Sequence, residues 1–110
     1  MKENIKNLWV DALRSGEYNQ TTHQLEDKEG YCCLGVLCKV GEKEGIPVDT
    51  DSSGELEGVD LTEQVDILEW SGTNQFDQNG VQNILMGMND DDGKTFEEIA
   101  DHIDNHWEKI

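Results

Sequence analysis

Tyr31-Cys32-Cys33-Leu34-Gly35-Val36-Leu37-Cys38-Lys39-Val40 is the most apolar stretch of the chain, and its reading decides the fold. Cys33, Leu37 and Val40 fall on one helical face, while Leu34, Val36 and Cys38 cover much of the rest. A helix that is apolar nearly all round belongs at the centre of a small core. Gly35 inside it costs roughly 1 kcal/mol against Ala, so its presence predicts close approach of another backbone or of a ligand. The pattern carries the helix through Glu42 and Lys43 to a stop near Gly45, with Pro47 just beyond.

Outward from this centre, Ile5, Leu8, Trp9, Ala12 and Leu13 recur at helical spacing from about Glu3 to Leu13. Lys2, Glu3, Lys6, Asn7 and Asp11 take the opposite face, and Ser15-Gly16 supplies a stop. Glu17 to Gly30 is polar, with room for a short extended piece around Thr21 to Leu25. A further helix is expected from Thr62, carrying Val65, Ile67 and Leu68 inward and closing at Trp70 before Gly72. Thr73 to Gly80 is polar apart from Phe76. Val81, Ile84, Leu85 and Met88 make a short apolar stripe before the turn signal Asn89-Asp90-Asp91-Asp92-Gly93. Thr95-Phe96-Glu97-Glu98 reads as a capping box, followed by Ile99, Ala100, Ile103 and Trp107 at helical spacing. The expectation is one domain over residues 1–110, mainly α, with four or five short helices around one core. The two polar stretches leave room for a small β-hairpin, which would make the fold α+β.

The 110 residues carry 8 Lys+Arg against 25 Asp+Glu, a formal net charge of −17. Such a chain repels phosphate, which argues against direct nucleic-acid binding and against an anionic membrane. It suits a cationic partner, a metal, or imitation of a polyanion. No apolar run approaches the ~20 residues that span a bilayer. Met1 to Ile5 opens without an apolar stretch behind it, so no signal peptide is expected. Three cysteines, two of them adjacent, do not make a secreted disulfide framework, and a reducing cytosol is expected.

Four groups of residues raise the question of chemistry. Asp49, Asp51, Ser53, Glu57 and Asp60 place oxygens at alternating positions around Gly54, like a calcium loop. Asp60 stands where a bidentate Glu is normal, and Pro47 interrupts the entering helix, so a solvated acidic loop competes with that reading. His102 and His106, four apart, have zinc spacing, but Cys33 and Cys38 lie in an apolar helix without a CxxC, so no metal is assigned. A cysteine acting with His23 would need a thiolate that apolar surroundings and negative charge both disfavour. The last group is the end of the first helix. Arg14, Ser15, Tyr18 and Gln20 stand close together, and a lone Arg in so acidic a chain either pairs with a carboxylate or awaits an anion. Trp9 and Tyr18 offer a stacking face there; the competing reading puts Trp9 in the core and pairs Arg14 with local acid such as the Asn89-Asp90 turn.

Trp9 to Gln20, Tyr31 to Cys38, and Met88-Asn89-Asp90 with Thr95 to Asp101 together resemble a set of small phage and prophage proteins. Their pattern is a WxxALRSGxYxQ opening, a CCLGVLC centre and an LND…SFxEIAD close. Met88 replaces Leu and Thr95 replaces Ser, both conservatively; Lys39 stands where an acid commonly follows the centre. The resemblance implies an accessory protein in the cytoplasm of an infected bacterial host. No catalytic residue is carried over, and neither an enzyme nor a cofactor is expected. The reading placed first is counter-defence by binding and sequestering a small anionic nucleotide signal, with Arg14, Ser15, Tyr18, Gln20, Asn89 and Asp90 as ligand contacts. The alternative is an acidic inhibitor or DNA mimic that binds a cationic host defence protein. A calcium-binding module ranks third. So small a core is also open to completion by self-association.

Overall fold

The computed structural model describes residues 1–52, 54–56, 64–73 and 84–110. Among them stand the α-helices α1 (Glu3–Arg14), α2 (Cys33–Lys43), α3 (Val65–Ser71) and α4 (Phe96–His106), and residues 84–86 are helical as well. A two-stranded antiparallel hairpin joins α1 to α2, with β1 (Glu26–Asp27) opposite β2 (Gly30–Tyr31) and Glu26 in register with Tyr31. Residues Gly87–Asp91 form a single π-helical turn before α4, and Trp107–Lys109 a 3₁₀ turn after it. The protein is mainly α with a small β-hairpin. No helix among the described residues is long and apolar enough to cross a membrane.

α2 is the centre: Cys33, Leu34, Val36, Leu37 and Cys38 are all buried. It begins two residues later than the apolar run, because Tyr31 pairs in β2 and Cys32, in extended backbone, becomes the N-cap. Gly35 meets a backbone, as its cost implied. A Cβ there would stand 1.8 Å from the Leu25 carbonyl oxygen, whose other task is to accept from Cys32 N at 3.2 Å. The segment before β1 is thus pressed directly onto α2.

α1 packs along α4 and against α2. Trp9 is fully buried and donates its indole N–H to Cys33 O at 2.9 Å, which satisfies its one polar atom inside the core. Trp9 therefore offers no stacking face with Tyr18. The α1 stripe is rotated from the expected one: Val10 is buried and Leu8 is exposed. Lys6, expected on the outer face, is buried along its stem, with Nζ 2.8 Å from Asp104 and 5.7 Å from the Trp107 ring centre. A long stem can cover apolar surface while its charge finds a partner at the edge.

The hairpin spans the end of the first polar stretch and the first residue of the apolar run. Asp27 makes it: Oδ1 accepts from Glu29 N at 2.8 Å and Gly30 N at 3.1 Å, and Oδ2 accepts from the Thr21 hydroxyl at 2.6 Å. The Thr21 bond, then the Glu29 N–H, hold the Asp27 carboxyl below its ordinary pKa. Thr21 to Leu25 is irregular rather than extended.

α3 buries Ile67 and Leu68 and ends at Gly72 in the left-handed conformation, as its pattern implied, but Val65 is exposed. Ile84 is exposed too, while Leu85 is buried. Thr62, Phe76 and Val81 lie outside the described residues. The capping box is complete: Thr95 Oγ1 accepts from Glu98 N, and Glu98 Oε1 accepts from Thr95 N at 3.1 Å. Phe96, Ile99, Ala100 and Ile103 are buried behind it.

Candidate functional site

The residues singled out for binding separate into three places. At the end of α1, Ser15 Oγ donates to Ala12 O at 2.7 Å and accepts from Glu17 N at 3.1 Å, a local cap that uses its hydroxyl twice. Gly16 then turns the chain at φ +79°. Arg14 points the other way, to α4, where its guanidinium pairs with Asp101 at 2.5 Å. The carboxylate competitor expected for Arg14 is real, but it is Asp101 and not the Asn89-Asp90 turn.

Tyr18 forms a second place. It meets Tyr31 edge to face, centres 5.5 Å apart at 82°. The Lys43 ammonium lies 5.3 Å from the Tyr18 ring centre and 3.3 Å from Glu17. The Tyr18 hydroxyl is buried with no partner at hydrogen-bond distance. Its oxygen, ahead of Glu17, raises the Lys43 pKa.

Gln20, Asn89 and Asp90 come together in the third place, 69 residues apart in the first pairing. The π-helical turn creates it. By widening one turn it directs Asn89 inward, to 2% exposure, beside Asp90. Asn89 Oδ1 accepts from Gln20 Nε2 at 2.9 Å; its Nδ2 donates to Thr21 O and to Asp90 Oδ1, both at 2.8 Å. Gln20 Nε2 also donates to Lys94 O at 2.8 Å. Asp90 Oδ1 accepts from His23 N at 2.9 Å, and Oδ2 stands 3.7 Å from His23 Nδ1. His23 has φ +69°, a left-handed conformation uncommon outside glycine. Both N–H groups of Asn89 are committed, so this cluster is a latch that ties the Gln20–His23 loop to the π turn. Among the described residues, no hydrogen bond or ion pair joins Arg14 to it.

Thr21, Asp27 and Lys94 belong to this region and were not singled out in the sequence; His23 was, but as the partner of a cysteine rather than of Asp90. Asp27-Lys28-Glu29-Gly30 carries a usable signal, since an Asp before a turn glycine often accepts backbone N–H groups ahead of it. Lys94 takes part through its carbonyl, which no side-chain pattern reveals. Beside the latch, Thr21, Thr22, Gln24, Asp27, Lys28 and Glu29 line an open polar groove of about 490 Å³.

The three cysteines are buried, which disfavours their thiolates. Burial pushes the Cys32 thiol up to about 11, Cys38 up to about 12, and Cys33 well above its ordinary value. Of the calcium-loop candidates, Asp49 is bound through its backbone to the buried Gln64 amide, at 2.8 and 2.7 Å. Asp51 Oδ1 accepts from Glu55 N at 3.0 Å. Ser53, Glu57 and Asp60 lie outside the described residues. Among the described residues, no group of three or more His, Cys, Asp or Glu is placed to hold a metal ion.

These features define a small helical domain with a buried thiol-rich core and a polar latch. The chain belongs to the family described as Domain of unknown function (DUF8296), which matches residues 1–107. No curated protein and no solved structure matches it.

Proposed function

We propose that this is a non-enzymatic phage-type accessory protein, acting in the cytoplasm of an infected bacterium by binding a cationic host defence protein through its acidic surface. The supporting observation is how the cations are used. Of 8 Lys and Arg, Lys6, Arg14, Lys39, Lys43 and Lys94 each stand 2.5–3.8 Å from a carboxylate of the same chain. The excess acid faces water. Asp91 and Asp92 before α4, Glu97 within it and Glu108 after it are exposed, beside the Asp101 and Asp104 carboxylates that Arg14 and Lys6 already hold. An anionic nucleotide at Arg14 has to displace Asp101 and approach against a net charge of −17.

One observation favours the nucleotide reading: the buried, unpartnered Tyr18 hydroxyl beside Lys43. A ligand oxygen there would accept from the Tyr18 hydroxyl.

The test is competition. A labelled duplex is bound to a basic DNA-binding domain, and the protein is added while anisotropy is followed at several salt concentrations. Displacement that weakens steeply with salt is expected. Asp91→Lys, Glu97→Lys and Glu108→Lys together are expected to weaken it at least tenfold. Equal competition by that triple variant would remove the acidic-surface reading. A thermal shift with one nucleotide class, lost in Tyr18→Phe or Lys43→Ala, would establish the second reading instead.

A further inference from the structure

We propose that His102 and His106 form an exposed two-imidazole clamp for a divalent transition-metal ion such as zinc or nickel. The two residues stand at i and i+4 of α4 with ring centres 4.6 Å apart and planes at 42°. Side chains at that spacing lie one above the other on a helix. Paired histidines four apart on one face are the donor spacing of helical zinc sites. Two nitrogens at zinc distance on one tetrahedral ion lie about 3.3 Å apart. Rings already this close reach that separation by turning about their last torsion, which is broad.

The surroundings agree. His106 faces solvent and His102 is partly open, so an ion can reach both. The thiols, the softer donors of the chain, are buried and held protonated. A net charge of −17 concentrates divalent cations near the surface. Two protein donors leave two tetrahedral positions for water or for a donor from another molecule. This site is independent of the proposed binding function.

Calorimetric titration of the full chain under reducing conditions tests it, with zinc chloride and nickel chloride as probes and magnesium chloride as a control for carboxylate binding. One zinc or nickel ion per chain is expected in the parent. His102→Gln and His106→Gln are each expected to lose the chelate gain, on the order of a hundredfold in affinity. Circular dichroism of each variant separates loss of the site from loss of the fold. Zinc bound equally well by the folded double variant would place the ion on carboxylates or thiols and overturn the proposal. Absence of zinc and nickel binding in the parent would overturn it as well.

Discussion

The α2 centre and the Asn89 latch are both buried, yet they are held by opposite means. Around α2, Leu34, Val36, Leu37, Trp9 and Ile103 exclude water through non-directional contact, and nearly any atom of similar size and polarity would serve. At the latch a single amide, Asn89, engages Gln20, Thr21 and Asp90, and geometry decides everything. A packed core accepts volume-conserving change and resists intrusion. A saturated polar cluster accepts almost no change, because each lost partner strands another buried group. Gly35 is where the core becomes as exacting as the latch, since there a backbone carbonyl is the neighbour.

That contrast can be broken first at Gly35. Gly35→Ala places a methyl 1.8 Å from Leu25 O, and no side chain can swing aside. A loss above about 4 kcal/mol, or failure to fold, is expected in urea denaturation. Retention of the parent midpoint would mean that the Leu25 segment is not pressed on α2. Trp9→Phe comes next. It removes the bond to Cys33 O and some volume, and about 2–3 kcal/mol of destabilisation is expected with m unchanged.

Asn89→Ala sharpens the comparison by acting on the latch alone. About 2 kcal/mol is expected. Its signature is local: amide exchange accelerates at Thr21 and His23 while α1 and α4 keep their protection. Uniform acceleration would show that latch and core unfold as one unit.

pH separates the two regions differently. The core thiols have raised pKa values in the folded chain, so their stabilisation is complete below the unfolded thiol value near 9. It is lost as pH rises through about 11 to 12. Asp27 beside the latch, Glu98 and Asp104 have lowered values. Their contribution is present above the ordinary carboxylate value near 4 and is lost as pH falls through their folded values. Melting temperature is expected to fall at both ends, and Cys38→Ala is expected to blunt only the alkaline side. The smallest effect is expected from Arg14→Ala. Its pair with Asp101 is half-exposed, and a loss below about 1 kcal/mol is expected. That makes it a clean probe of anion binding.

Much of this fold is written locally. The apolar run of α2, the Thr95 capping box, the Gly72 stop and the cost of Gly35 each depend on residues within a few positions of one another, where propensity and periodicity act. Contacts that join distant segments were not legible in the same way. Periodicity says that α1 has an apolar side, but the position of α4 decides that Lys6 turns inward to Asp104 while Leu8 turns out. The motif residues Gln20, Asn89 and Asp90 were visible as letters. Only the π turn shows that they spend their hydrogen bonds on one another, while Arg14 spends its charge on Asp101. Helices are specified by neighbours in sequence. The use of a polar side chain depends on which partner the packed chain brings within about 3 Å, and that is a property of the tertiary structure.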